Sequence, residues 1–279
     1  HVPEPYTLYK GIRALPAGTS LWIDTSGKKE TRQFFNITED LAIAGETRFT
    51  GSGAEMQECL RAALLDSVRC HLIADVPVGI FLSAGLDSTT IAALAKETIS
   101  QGSEATTALR TLTLGFEEFS NTPNDEVPIA ERFARHLAAQ HQTCWVNRDD
   151  FQRERQHLLD AMDQPSIDGV NSYFVCKAAA ESGLKVALSG LGGDELFGGY
   201  PSFRQLPRMV KVFAPFQSIP AIGKGFRYLS APILKQCTSP KYAGLLEYGG
   251  TYGGAYLLRR GMYMPWELPE MLDGEIVRQ

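Results

Sequence analysis

A run of small residues, Phe81-Leu82-Ser83-Ala84-Gly85-Leu86-Asp87-Ser88, lies between a short apolar stretch and a segment of helical composition. Backbone N–H groups at a helix start, aligned with the positive end of the helix dipole, attract an anion. The hydroxyls of Ser83 and Ser88 add donors, and Asp87 can hold a magnesium ion against phosphate oxygens. The run lacks the Gly-x4-Gly-Lys-Ser/Thr pattern of a Walker loop, so it does not point to transfer of a terminal phosphoryl group. A plain strand–turn–helix junction capped by Asp87 or Ser88 would draw on the same residue types.

A second run, Leu188-Ser189-Gly190-Leu191-Gly192-Gly193-Asp194-Glu195-Leu196-Phe197-Gly198-Gly199-Tyr200, also follows an apolar stretch. Its glycines at 190, 192 and 193 allow the backbone to come close to a nucleotide. Asp194 offers a second carboxylate to the metal, and the competing reading is a glycine-rich turn with a helix cap.

These loops need a scaffold, and the flanking pattern predicts one. Apolar positions at Met56, Leu60, Ala63, Leu64, Val68 and Leu72 recur at helical spacing and stop before Asp75-Val76-Pro77. Strands are expected at Val78–Leu82, Leu109–Phe116, Thr143–Val146 and Lys185–Ser189. Helices are expected at Asp87–Glu97, Glu126–Gln140 and Asn171–Ser182. Strands alternating with helices of this length imply an α/β fold with a doubly wound parallel sheet. Ligands then lie beyond the carboxyl ends of the strands, so both loops converge on one crevice. Residues 1–36 read as β structure with tight turns, 37–53 as a linker, and the portion after Tyr200 as mostly helical.

The composition excludes several classes. No run reaches the roughly 18 apolar residues of a bilayer span, and the start, His1-Val2-Pro3-Glu4-Pro5, lacks the layout of a signal peptide. Acids and bases are interspersed at a net charge of −5, without the basic stripe that a nucleic-acid backbone calls for. Five scattered cysteines without a C-x-x-C pair fit reduced thiols, and the expected location is the cytoplasm. His71, His136, His141 and His157 lack metal-ligand spacing and read as surface or helix-end residues. Tyr6, Tyr9 and Trp22 read as core of the β segment, and Arg148–Arg155 as a solvated helix face. The first residues and the helix-like start at Gly274–Gln279 read as the cut edges of an internal fragment.

Ser83–Ser88 resembles the pyrophosphate loop (PP-loop) of the N-type ATP pyrophosphatases. Coupled to Ser189-Gly190 and Asp194–Tyr200, it is similar to the glutamine-dependent asparagine synthetases. Val76–Leu82, Asp125-Glu126, Asp163-Gln164-Pro165 and Asn171-Ser172-Tyr173 follow in the same order. The resemblance implies an adenine nucleotide alpha hydrolase-like domain over residues 54–279, truncated at its C-terminus. It also implies that residues 1–36, with Gly11-Ile12 and Leu15–Gly18, are closing strands of an Ntn-type glutaminase domain. It implies ATP with its adenine near the backbone of Phe81, Leu114 and Ser189-Gly190. The pyrophosphate would lie on Ser83, Gly85, Asp87 and Ser88, with Leu82, Ala84 and Leu86 in the same nucleotide-binding loop, and Asp87 and Asp194 would hold Mg2+. An aspartate carboxylate would attack the α-phosphorus, and ammonia would displace AMP from the adenylate. The implied partners are small molecules, with a homodimer compatible with the family. Two departures stand out: Ala84 replaces a usual glycine, and Leu191 stands where these synthetases commonly carry a glutamate that acts as a base. β-Lactam synthetases and lasso-peptide cyclases also depart at that position, so a related amide-forming ligase stays open, as does a non-catalytic nucleotide-binding relative.

Overall fold

The computed structural model describes residues 2–101, 108–166 and 168–273. The helix start expected at 274–279 lies outside them. Two compact units divide the chain, His1–Gly190 and Leu191–Gln279.

In the first unit, three short runs rich in apolar residues and the more polar segment Gln140–Val146 become the strands of one sheet, and segments between them become its covering helices. Ser52 and Glu55 form a reciprocal capping box that starts helix α2 (Gly53–His71), satisfying N–H groups the helix itself leaves unpaired. The chain then enters β3 (Val78–Phe81), helix α3 (Leu86–Gln101), β4 (Arg110–Phe116), α4 (Val127–His136) and β5 (Gln140–Val146). It continues through α5 (Arg148–Ala161) and α6 (Gly169–Glu181) to β6 (Val186–Leu188). These four strands are all parallel, in the order β5-β4-β3-β6.

Side chains alternate across the sheet and fill a core on each face. Ile80, Leu82 and Leu109 pack against Val68 of α2, Ala92 and Ala95 of α3, and Ala130 and Ala134 of α4. On the other face Leu112 and Leu184 meet Ala178 and Ala179 of α6, and Val146 meets Leu158 of α5 and Phe174 of α6. Glycine at position 79 follows from this packing, because a Cβ there would collide with the side chain of Leu184. Helices on both faces of a parallel sheet give the expected mixed α/β architecture.

Several local expectations change. Within residues 37–53, read as a linker, α1 (Ile37–Glu46) is a helix whose first turn is capped by the Asn36 side chain. The helix expected to reach Gln140 stops at His136, because Ala138 turns left-handed at φ 49° and Ala139 N–H closes the end on the Ala134 carbonyl. The following strand therefore begins at Gln140, not Thr143. An antiparallel pair, β1 (Thr19–Ile23) and β2 (Lys29–Gln33), is the β structure found in residues 2–36. Tyr6, Tyr9 and Trp22 are not core; they are 67, 49 and 73% exposed. The Tyr9 hydroxyl and the Leu8 N–H reach the Asp163 carbonyl and the Gln164 side chain.

The second unit is helical: α7 (Gly193–Phe197), α8 (Ser202–Phe213), α9 (Pro220–Cys237), α10 (Leu245–Tyr248), α11 (Tyr252–Arg260) and α12 (Leu268–Met271). Ala243, Ala255, Leu258 and Met264 are fully buried within it. Helix α9 crosses α10 closely, since a Cβ on Gly223 would meet the Glu247 backbone at 2.9 Å. Glu247 pairs there with Arg227 at 2.8 Å, and the Arg227 guanidinium also lies 4.7 Å from the ring centre of Trp266. Among the described residues no helix is long and apolar enough to cross a membrane.

Candidate active site

The strand order locates the crevice. From β3 the chain moves outward to β4 and β5, then returns to place β6 on the other side of β3. The order therefore reverses between β3 and β6, which is where open parallel sheets bind ligands, at the carboxyl ends of the strands. The loops leaving those two ends are the sequences that start at Leu82 and at Ser189.

Neighbouring β4 fixes the first loop at its origin. Leu82 N–H donates to the Leu112 carbonyl at 2.8 Å, and the buried Thr113 hydroxyl donates to the Leu82 carbonyl at 2.6 Å. Beyond Leu82 the loop folds on itself. The Ser88 hydroxyl accepts the Ser83 N–H at 3.1 Å and faces the Ser83 and Gly85 carbonyls at 3.2 Å each. The two serine hydroxyls are 2.9 Å apart, and Ser83 Oγ accepts the Gly85 N–H at 3.1 Å. Ser88 is buried at 6% exposure, so its hydroxyl is engaged in holding the turn. Ala84 is half-buried and Leu86 is 85% exposed.

Thr89 N–H is the first α3 donor to find a backbone acceptor, the Gly85 carbonyl at 3.2 Å. Among the described residues, the N–H groups of Leu86, Asp87 and Ser88 have no acceptor, and the half-buried Asp87 carboxylate makes no hydrogen bond or ion pair. Three open donors at the start of a 16-residue helix form a positive, anion-accepting end. The second loop passes directly against it. A Cβ built on Gly190 would stand 2.8 Å from Ser88 N and 2.8 Å from Asp87 Cβ. Glycine there lets the second loop approach the start of α3 more closely than any residue with a side chain could. Ser189 is exposed, while Phe81 and Leu114 are half-buried with their side chains in the core facing α6.

In the second unit, Gly192 (φ 100°) and Gly198 (φ 66°) bracket α7 in left-handed conformations. Gly199 donates its N–H to the Asp194 carbonyl at 2.9 Å, and a Cβ on Gly199 would collide with Asp194 Oδ1. The half-buried Asp194 is therefore backed by bare backbone. Its neighbour Glu195 accepts the Tyr200 hydroxyl at 3.1 Å, which holds the Tyr200 phenol above its ordinary pKa. Arg260 lies 5.5 Å from the centre of the Tyr200 ring. Sequence reading did not find this cluster, because Arg260 is 60 positions from Tyr200. Leu191 is 83% exposed.

Two other readings resolve. His71 and His136 end their helices and His157 is exposed, as expected, but His141 is half-buried on β5 between the hydroxyls of Thr111 (2.9 Å) and Thr143 (3.3 Å). Among the described residues no group of three or more His, Cys, Asp or Glu side chains is arranged to hold a metal. A site of one or two carboxylates completed by phosphate oxygens is the way proteins commonly hold magnesium.

Residues 59–251 match the asparagine synthase family. Asparagine synthetase (glutamine-hydrolyzing) 1 of Bacillus subtilis is 32% identical over 252 residues, covering 90% of this chain and 36% of that protein. A putative asparagine synthetase (glutamine-hydrolyzing) of Mycobacterium tuberculosis is 36% identical over 209 residues, covering 74% of this chain and 30% of that one. A third relative, named amidase chry2, from Gibberella zeae, is 28% identical over 71% of this chain and covers 30% of its own length. The chain thus spans about a third of the length of these curated relatives. With a matched segment that includes both loops and the whole parallel sheet, this chain belongs to the asparagine synthase family.

Proposed function

We propose that the protein is an ATP-dependent amidoligase that converts aspartate to asparagine through an aspartyl-adenylate. The observation that carries this reading is the set of open N–H donors of Leu86, Asp87 and Ser88 with the Gly190 backbone beside them. That arrangement suits the pyrophosphate portion of ATP, held by backbone donors and the helix dipole. The adenine lies along the backbone of Phe81, Leu114 and Ser189-Gly190. The unpaired Asp87 carboxylate fits a magnesium ligand, and Asp194 is proposed as another on the strength of its motif. Magnesium supplies charge neutralisation for the departing pyrophosphate.

An aspartate side-chain oxygen attacks the α-phosphorus, the bond to the β-phosphate oxygen breaks, and pyrophosphate leaves. Ammonia then adds to the acyl carbon, AMP departs with the bonding electrons, and a proton is lost to give asparagine. Relatives named as glutamine-hydrolyzing support glutamine as the ammonia source, and residues 1–36 are proposed as the end of a glutaminase domain joined through 37–53 to a synthetase domain from residue 54. Leu191 favours a second reading, a ligase of the same chemistry with a different carboxylate, because leucine cannot accept the proton of the incoming amine.

Pyrophosphate release by the complete protein with ATP, magnesium and aspartate, set against a panel of other carboxylates, tests both. Aspartate-dependent release is expected. Release with another acid alone would establish the second reading, and no release with any acid would sink the adenylation chemistry.

A further inference from the structure

At the opposite end of the sheet, where β4 and β5 begin, lies a cavity of about 210 Å3 lined in part by Arg110, Leu112, Gln140, Gln142, Ser182 and Leu184. All four strands run parallel, so this end is remote from the loops that leave β3 and β6. The cavity belongs to no part of the site described above.

Its chemistry is set by Arg110. One arm of the half-buried guanidinium, Nη2, donates to the Ser182 carbonyl at 2.7 Å, just past the end of α6. The Ser182 hydroxyl in turn donates to the Ala178 carbonyl at 2.7 Å, which fixes the turn that receives the arginine. Among the described residues no carboxylate pairs with Arg110. A carbonyl dipole offsets only part of a full charge drawn away from bulk water, so the guanidinium retains a demand for an anion. Its remaining N–H groups form a planar fork that matches a carboxylate.

The strand register supplies the rest. Gln140 is the cross-strand partner of Arg110, and Gln142 is the partner of Leu112, so the period of two brings all four to one face of the sheet. The two glutamines bring both amide donors and amide acceptors to the exposed edge strand. Leu112 and Leu184 give an apolar wall. The space is below the usual range for drug-sized ligands, which limits the occupant to a small metabolite.

We propose that this cavity binds a small organic carboxylate of amino-acid size, with the carboxylate on Arg110 and the polar substituent on Gln140 and Gln142. It is a second ligand site, independent of the nucleotide reading. Calorimetric titration of the complete protein with L-aspartate, L-asparagine and succinate, at constant ionic strength with chloride as control, tests it. At least one of the three binds saturably, Arg110→Gln weakens that binding by about tenfold or more, and Asp87→Asn leaves it in place. If Arg110→Gln does not fold, Gln140→Leu on the exposed strand edge serves as the second variant, with weaker binding expected. Absence of saturable binding in the millimolar range would overturn the proposal. So would binding that survives both cavity variants, since Arg110 would then be only a cap on the end of α6.

Discussion

Position 190 condenses the candidate site into one atom. Its α-carbon lies so near Ser88 N and Asp87 Cβ that Gly190→Ala would set a methyl group 2.8 Å from each. The expected result is a rise of about tenfold or more in the KM for ATP, roughly 1.4 kcal/mol or above, with an unchanged circular dichroism spectrum. A KM within twofold of the parent would show that nothing binds beside those N–H groups. The glycine was legible as a residue that lets backbone come close, and its placement after an apolar run pointed to a crevice. What the sequence could not tell was which partner it approaches, because the contact joins residues about a hundred positions apart. Ser88 was read as a phosphate donor, yet its hydroxyl faces inward, a fact decided by burial that local composition does not encode.

Among elements, β3, β4 and β6 were readable since each contains a short apolar run, whereas the polar start of β5, Gln140-His141-Gln142, hid where that strand begins. Helix α1 was hidden because it buries none of its residues, so no apolar stripe marks it. The stop of α4 was missed because an alanine, Ala138, takes the left-handed position that glycine usually announces. One consequence belongs to the pairing of β4 and β5. Burial holds the His141 imidazole below its ordinary pKa of 6.5, against an opposing pull from Glu131. As pH falls, the unfolded chain takes up that proton first, so folding stability declines once pH drops below about 6.5. Thermal unfolding between pH 7.5 and 5.5 should show this decline, and His141→Gln should flatten it. An equal slope in the variant would assign the pH response to other groups.

Across the molecule, the two units rest on different kinds of cohesion. The first relies on aliphatic packing about a sheet, whereas the helical unit is tied at α9 and α10 by Arg227 and Glu247, whose side chains are only 14 and 17% exposed. Glu247→Gln keeps the shape but leaves the arginine uncompensated. Its expected cost is about 2 kcal/mol, below the roughly 3–5 kcal/mol of a fully buried pair, measured by urea unfolding with helical content as the signal. A change under about 0.5 kcal/mol would mean that the pair is screened like a surface one. That tie was invisible in sequence, since it spans 20 positions and neither residue stands out among other charges. The loop closed by Ser83 and Ser88 bears on how ligands arrive. Because its own hydroxyls and N–H groups already fix the turn, little backbone disorder would remain to be lost on association, and the donors at the head of α3 would meet the proposed anion already in their final arrangement.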